Sequence, residues 1–200
     1  IFMGEEPAGA AASKDNFSDE LDVLIIKASR GDHHSFRKIY DLHAGKMYSL
    51  CKRFANSNIE ADDLFQEGFI KVYRNLSNYR GDGSFEGWVR RVFVTTCLDI
   101  LKKKNNLHLP GHFDNETESA LALEPEIINK LDKEQLIQTL QKLPPGYRTS
   151  INLFSIEGYS HKEIAVLLGI SEGTSKSQYS KARKKLKELI INSADYGSNA

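Results

Sequence analysis

Gly158-Tyr-Ser-His-Lys-Glu-Ile-Ala-Val-Leu-Leu-Gly-Ile-Ser-Glu-Gly-Thr-Ser-Lys-Ser-Gln-Tyr-Ser-Lys-Ala-Arg-Lys-Lys-Leu186 has a mechanical reading in every segment. Ser160 and Glu163 have the spacing of a capping box, so a helix starts at Ser160. Ile164, Ala165, Leu167 and Leu168 give that helix one buried face. Gly169 suits the left-handed conformation that ends a helix, and Ile170 plugs the space between two helices. Ser171 caps the second helix, and Glu172 suits the positive end of its dipole. Tyr179, Ala182, Leu186, Leu189 and Ile190 form the apolar stripe of this second helix. Lys176, Lys181, Arg183, Lys184, Lys185 and Lys187 lie mostly off the stripe. The pattern is that of a helix-turn-helix, with short polar groups for base edges and cations for phosphates. The plainer alternative is a lysine-rich surface helix after a short amphipathic one. The tight turn, capped on both sides, and the one-sided charge weigh against it.

The rest of the chain is read outward from this anchor. At 200 residues with 40% hydrophobic side chains, it has room for one domain or two small ones with real cores. No apolar run is long enough to span a bilayer, so membrane insertion is not expected, and no secretory signal is visible. Residues 1–18 read as a disordered or added start and are left out of the fold. Cys51 and Cys97 both sit in apolar helical patterns and read as buried free thiols, which fits a reducing cytoplasm. There is no Cys/His cluster at zinc spacing, no Walker loop and no dinucleotide turn, so neither metal nor cofactor is expected. His33-His34 reads as surface.

The chain carries 27 Lys and Arg against 27 Asp and Glu, so the formal net charge is zero, but the signs are segregated. Positive charge gathers at Arg90-Arg91, at Lys102-Lys103-Lys104 and from Lys176 to Lys187. Negative charge gathers at Asp62-Asp63, at Glu67 and from Asp114 to Glu126. Such a chain can hold nucleic acid with some faces and offer an acidic face to a basic protein partner.

Almost every segment has helical periodicity. One helix covers residues 21–29 and another runs from His33 to Ala55, turning Phe36, Ile39, Tyr40, Met47, Leu50, Cys51 and Phe54 inward. Ser57 and Glu60 have capping-box spacing and open a helix to about Leu76. Glycines mark residues 79–84 as a loop, and Ser84 caps a helix bearing Phe85, Val89, Phe93 and Leu101. Residues 105–126 break the pattern with Pro110, Gly111 and several acids, and read as a flexible linker. Helices resume near Ile127 and run to Lys142, Pro144-Pro145-Gly146 stops them, and a further helix runs from Tyr147 to Glu157. The tail, residues 193–200, is small and polar and reads as frayed. The expected fold is therefore all-α: two small helical domains, 19–104 and 127–192, joined by a flexible linker, the C-terminal one a helix-turn-helix.

Two constellations carry chemistry. Trp88 sits beside Tyr79 and Phe85 and near Arg80, Arg90 and Arg91, and unstacked bases need such π-faces and phosphate clamps. Each ring is also a natural core residue, which would leave the loop and the polar helix face as the working parts. Asp62, Asp63 and Glu67 have the spacing of a divalent-metal site, but acids in a helix's first turns stabilise the dipole without any ligand.

Two separated segments resemble a known family. One is Asp62-Asp-Leu-Phe-Gln-Glu-Gly-Phe-Ile-Lys-Val-Tyr-Arg-Asn-Leu76, followed by Phe85-Glu-Gly-Trp-Val-Arg-Arg-Val92 and Leu98-Asp-Ile-Leu-Lys-Lys103. The other runs from Leu143-Pro-Pro-Gly-Tyr-Arg148 through Glu157 to Leu186. They are similar to the second and fourth conserved regions of extracytoplasmic-function sigma factors, the compact group of the sigma-70-like family that directs bacterial RNA polymerase to promoters.

The resemblance implies that the helix from Glu60 to Leu76 docks on the clamp of the polymerase largest subunit, with Asp62, Asp63, Gln66 and Glu67 as polar contacts. It implies that the loop and the helix after it melt and read the minus-ten element, using Arg80, Trp88, Arg91, Thr95, Asp99, Lys102 and Lys103. Thr95 and Asp99 would form the pocket for an extracted base. It implies that Lys176, Ser177, Ser180 and Lys181 reach the major groove of the minus-thirty-five element, while Arg148, Thr174, Arg183 and Lys184 set register on phosphates. The linker would thread toward the polymerase interior, and an anti-sigma factor would be the regulator. The chain departs from the family pattern at Thr95, at Ser175, which faces the hairpin core, and at Gln178, where an Arg phosphate anchor is replaced by a side chain able to pair with adenine. Two rival readings make distinct claims. A duplex-binding repressor or activator would leave the segment from Asp62 to Lys104 idle, and a metal-dependent nuclease would use Asp62, Asp63 and Glu67.

Overall fold

A computed structural model describes residues 12–104 and 132–197, and the described residues form eight α-helices and no strands. In chain order these are α1 (Ala12–Ser29), α2 (His33–Phe54), α3 (Asn58–Asn75), α4 (Phe85–Lys103), α5 (Lys133–Gln141), α6 (Pro145–Ile151), α7 (His161–Leu168) and α8 (Glu172–Gly197). A short 3-10 turn, Leu76–Asn78, follows α3, and a π-helical turn, Asn152–Ile156, continues α6. The linker residues 105–126 and the expected helical start from 127 to 131 lie outside the described residues.

The helices begin where local chemistry tells them to. Asp32 caps α2 by accepting from the His34 and Ser35 amides. Ser84 caps α4 by accepting from the Gly87 amide. Ser57 caps α3 by accepting from the Glu60 amide, but the reciprocal half of the expected box does not form. The Glu60 carboxylate instead accepts from the Asn56 amide and its side-chain NH2, both at 2.7 Å, and meets Lys104 at 3.4 Å. A second difference lies at Pro144-Pro145. Pro145 not only stops the preceding helix but opens α6, where its fixed φ and missing N–H suit the first helical turn. A third is the tail, which stays helical to Gly197, there being no proline or glycine between Asn192 and Tyr196 to stop it sooner.

α2, α3 and α4 pack around Ile39, Met47, Leu50, Phe54, Leu64, Phe69, Val72, Val89 and Phe93. Gly68 lets α3 and α4 approach closely, since a Cβ at that position would run into the Phe93 ring. Leu140, Leu143, Ile151, Ala182, Leu186 and Ile190 form a second, smaller core between α5, α6 and α8. The two units are not separate in space. Leu153, Ile164 and Leu168, from the C-terminal unit, belong to the larger apolar cluster of α2–α4.

Polar contacts at the end of α2 fix this joint. The last carbonyls of a helix have no partner within it. Here Gln141 Nε2 donates to the Lys52 carbonyl at 3.2 Å, Asn152 Nδ2 to that of Arg53 at 2.7 Å, and Arg148 Nη1 to that of Ala55. Arg148 Nη2 also donates to Asn56 Oδ1 at 2.5 Å and to the Leu143 carbonyl at 3.3 Å. Residues from α5, α6 and the π turn thus cap α2.

Candidate nucleic-acid and polymerase interface

The acidic face lies on α3. Asp62, Asp63 and Gln66 are exposed and Glu67 is half-buried. Tyr48 of α2 donates its hydroxyl to Asp62 Oδ1 at 2.9 Å, and this bond raises the Tyr48 pKa. Ile70 is 43% exposed on the same helix and Tyr73 37%. The face therefore offers apolar area beside its charges. Asp63, Gln66, Glu67 and Ile70 line one side of a shallow groove of about 520 Å³, and Asp99, Ile100, Lys103 and Lys104 line the other.

The candidate strand-reading surface lies on α4 and the loop before it. Gly81 and Gly83 hold positive φ of 80° and 96°, and the loop is tied by a 2.9 Å bond from the Tyr79 hydroxyl to the Gly83 carbonyl. Phe85 is buried and its ring is 5.1 Å from Tyr79, so it belongs to the core; Trp88 is half-buried against both rings, at 5.6 and 5.7 Å. Trp88, Arg91, Thr95, Asp99 and Lys102 recur at helical spacing and share one side of α4. Arg80, Arg91, Asp99, Lys102 and Lys103 are exposed.

The pocket expected from Thr95 and Asp99 has occupants of its own. Thr95 Oγ1 donates back to the Arg91 and Val92 carbonyls, each at 3.0 Å. Asp99 takes Lys71 Nζ of α3 at 3.1 Å. Sequence reading missed Lys71, whose spacing from Glu67 suggests a pair within α3 instead.

The helix-turn-helix is α7 and α8. Ser160 and Glu163 form the full capping box, and Gly169 ends α7 with a left-handed φ of 71°. Ser171 accepts from the Thr174 amide at 2.9 Å, and the two hydroxyls meet at 2.8 Å, so Thr174 is part of the cap. Opposite the buried stripe of α8 lie Lys176, Ser177, Ser180, Lys181 and Lys184. Lys176 pairs with Glu172 at 2.7 Å, and Arg183 lies over the Tyr179 ring at 5.6 Å. Ser175 is 1% exposed and its hydroxyl meets His161 Nδ1 at 3.0 Å, in the hairpin core as expected. Gln178 is 5% exposed and flanks that core, so it does not present itself to a groove as the adenine-pairing reading requires.

Arg148 differs most from its expected place. Instead of facing phosphate it is 1% exposed and spends its donors on Ala55, Asn56 and Leu143, and burial lowers its pKa. Glu157, which the motif reading left without a role, is the other anchor. Its side chain is fully buried, taking Arg53 at 2.5 Å and Arg90 at 3.0 Å. Burial works against the Arg90 cation, yet its bonds to Glu157 and Glu86 prevail and hold its pKa above the ordinary value. No local pattern marks either residue, since the partners across the joint lie more than sixty positions away.

Two family descriptions match this architecture unit by unit: Sigma-70 region 2 over residues 39–106, and Sigma-70 region 4 over residues 133–186. The extracytoplasmic-function sigma factor SigE of Mycolicibacterium smegmatis is 32% identical over 182 residues, covering 86% of this chain and 69% of the relative. The chain belongs to the extracytoplasmic-function group of sigma-70 factors. The sigma-H factor of Pseudomonas aeruginosa is 31% identical over 84% of this chain and 92% of its own length. Among solved structures, the sigma factor RpoE in complex with the anti-sigma factor NepR from Bartonella quintana shares the fold with a TM-score of 0.51, at 21% identity over 78% of this chain and 96% of that one. CnrH in complex with the cytosolic domain of CnrY does so with a TM-score of 0.50, at 22% identity over 87% of this chain and 99% of that one. No helix among the described residues of this sigma factor is long and apolar enough to cross a membrane.

Proposed function

We propose that this sigma factor binds bacterial RNA polymerase core, directs it to promoters, opens the minus-ten element with α4 and clasps the minus-thirty-five element as duplex with α8. The observation that carries the reading is the presence, in one chain, of a cationic stripe beside a glycine-bounded aromatic loop and of a doubly capped helix-turn-helix. A repressor needs only the second of these. Asp62, Asp63, Gln66 and Glu67, with Ile70 and Tyr73 beside them, make the polymerase contact. Extracting a base from a duplex costs a few kcal/mol. Arg91, Lys102 and Lys103 hold the backbone of the parted strand, and Thr95 and Asp99 turn from their internal partners to the extracted base.

On α8, Lys176, Ser177, Ser180 and Lys181 face base edges, and Lys184 and Arg183 face phosphates. The protein works in the cytoplasm, where polymerase is, and carries out no reaction of its own; the polymerase supplies the chemistry. Its regulator is an anti-sigma factor, like the NepR bound to RpoE in one of the structural neighbours. The test is transcription in vitro: core enzyme, this chain and a library of promoter fragments are expected to give initiation at a defined subset, and none without the chain.

A further inference from the structure

Residues 27–38 run from the end of α1 into α2, and there Lys27, Arg30, Arg37 and Lys38 stand against a single acid, Asp32. All five are exposed. The Asp32 carboxylate is spent on the cap of α2, accepting from the His34 and Ser35 amides and from the Ser35 hydroxyl. Arg37 pairs with Asp41 at 3.1 Å, an exposed pair of the weakly held kind. Lys27, Arg30 and Lys38 form no ion pair among the described residues. Surface charge is ordinarily of both signs interspersed, whereas here one sign gathers.

An aromatic plate stands among these cations. His33 is exposed and stacks on Tyr73, in the last turn of α3, with ring centroids 5.9 Å and planes 19° apart. Tyr73 packs edge-on against Phe36 at 4.8 Å, which holds the stack in place. The stack also brings up Arg74, exposed and without an ion pair among the described residues. A held ring surrounded by cations is what an unstacked base and its phosphates require. The corner adjoins the strand-reading loop, because α1 packs on the 3-10 turn Leu76–Asn78 that leads into Tyr79 and Arg80. It lies at the N-terminal end of α2, while the C-terminal unit is fixed at the other end, about 30 Å away along a helix of 22 residues. The minus-thirty-five duplex belongs to that unit, so the part of the parted strand that runs toward this corner is its downstream flank.

We propose that the corner between α1 and α2 is a second single-strand site: Arg30, Arg37 and Arg74 hold phosphates of the strand downstream of the minus-ten element, and one of its bases stacks on His33. The site rests on the functional reading above. It reads no sequence, since every base offers a π-face and every phosphate the same charge. Its effect is to keep the opened strand from closing again, and that effect weakens with salt.

The experiment uses holoenzyme assembled from polymerase core and the full chain, with two labelled single strands of a promoter defined by the transcription test above. One strand carries the minus-ten element and its downstream flank; the other ends at the element. Read by anisotropy, the longer strand is expected to bind about tenfold more tightly. Arg30→Glu with Arg74→Glu is expected to remove that advantage and to lower the slope of log affinity against log salt by about one. His33→Ala is expected to remove about fivefold or more and to leave the slope as it was. Affinity for the shorter strand and for core is expected to stay unchanged in each variant. A longer strand that binds no more tightly, or an advantage that survives the charge reversals, would overturn the site. A loss of core affinity in the variants would overturn it too, by making the corner a polymerase contact. Holoenzyme that binds neither strand would overturn the functional reading itself, and the site with it.

Discussion

Arg148 is a buried cation that ties the end of α2 to α6. Its guanidinium is buried with three acceptors, two of them backbone carbonyls that water no longer reaches. Arg148→Ala leaves all three without a donor, and is expected to lower unfolding stability by about 2–3 kcal/mol, measured by urea titration. Gly68 poses a question of sign. Replacing a mid-helix glycine by alanine gains roughly 0.5–1 kcal/mol of helix propensity. The Phe93 ring fills the space a Cβ needs, and overpacking of that kind costs about 1–3 kcal/mol. Gly68→Ala is therefore expected to destabilise, and adding Phe93→Leu to recover part of the loss. His43 sets a pH window. It is buried beside Phe85, and burial lowers its pKa from the ordinary 6.5, with Glu86 opposing and Lys46 reinforcing the shift. The unfolded chain then takes up a proton below that value while the folded one resists, so stability falls as pH drops from about 6.5 toward the folded pKa. Burial shifts His161 in the same direction. Unfolding midpoints at pH 7.5 and 5.5 are expected to differ in this sense, and His43→Leu to narrow the gap; a midpoint independent of pH over that range would contradict the argument.

At the scale of elements, the helix-turn-helix was the most legible part of the chain because its signals are local. A serine and a glutamate three residues apart, one glycine and one more serine fix both helix ends, and each makes its expected bond. Ser160→Ala is expected to cost about 1 kcal/mol through the lost cap, read in the thermal midpoint. The same signal was incomplete at α3. Ser57 and Glu60 have the right spacing, yet Glu60 found a better donor pair in Asn56. The face of α8 opposite its buried stripe has its own test. Lys176→Ala and Lys181→Ala are expected to weaken upstream-element binding by about 1–3 kcal/mol each if they read bases. A change confined to the salt dependence would make them phosphate contacts instead.

The whole molecule was legible in its parts and not in their arrangement. Apolar periodicity and caps lead to eight helices and two cores, because both act within a few residues. The joint depends on Arg148 finding a carbonyl 93 positions away and Glu157 a guanidinium 67 positions away, and no pattern in a single sequence encodes such pairs. That is why Arg148 read as a phosphate anchor and Glu157 as nothing in particular. Lys71 escaped for the same reason, since Asp99 comes to it from another helix. At this scale the account makes one claim, that both units serve a borrowed enzyme. The most direct test adds the purified chain to polymerase core and maps where transcripts start on promoter-bearing templates. The account predicts starts at defined positions that appear only with the chain and disappear when Asp63 and Glu67 are both reversed in charge. A chain with no measurable affinity for core, or one that binds duplex specifically with no effect on where core initiates, would contradict it.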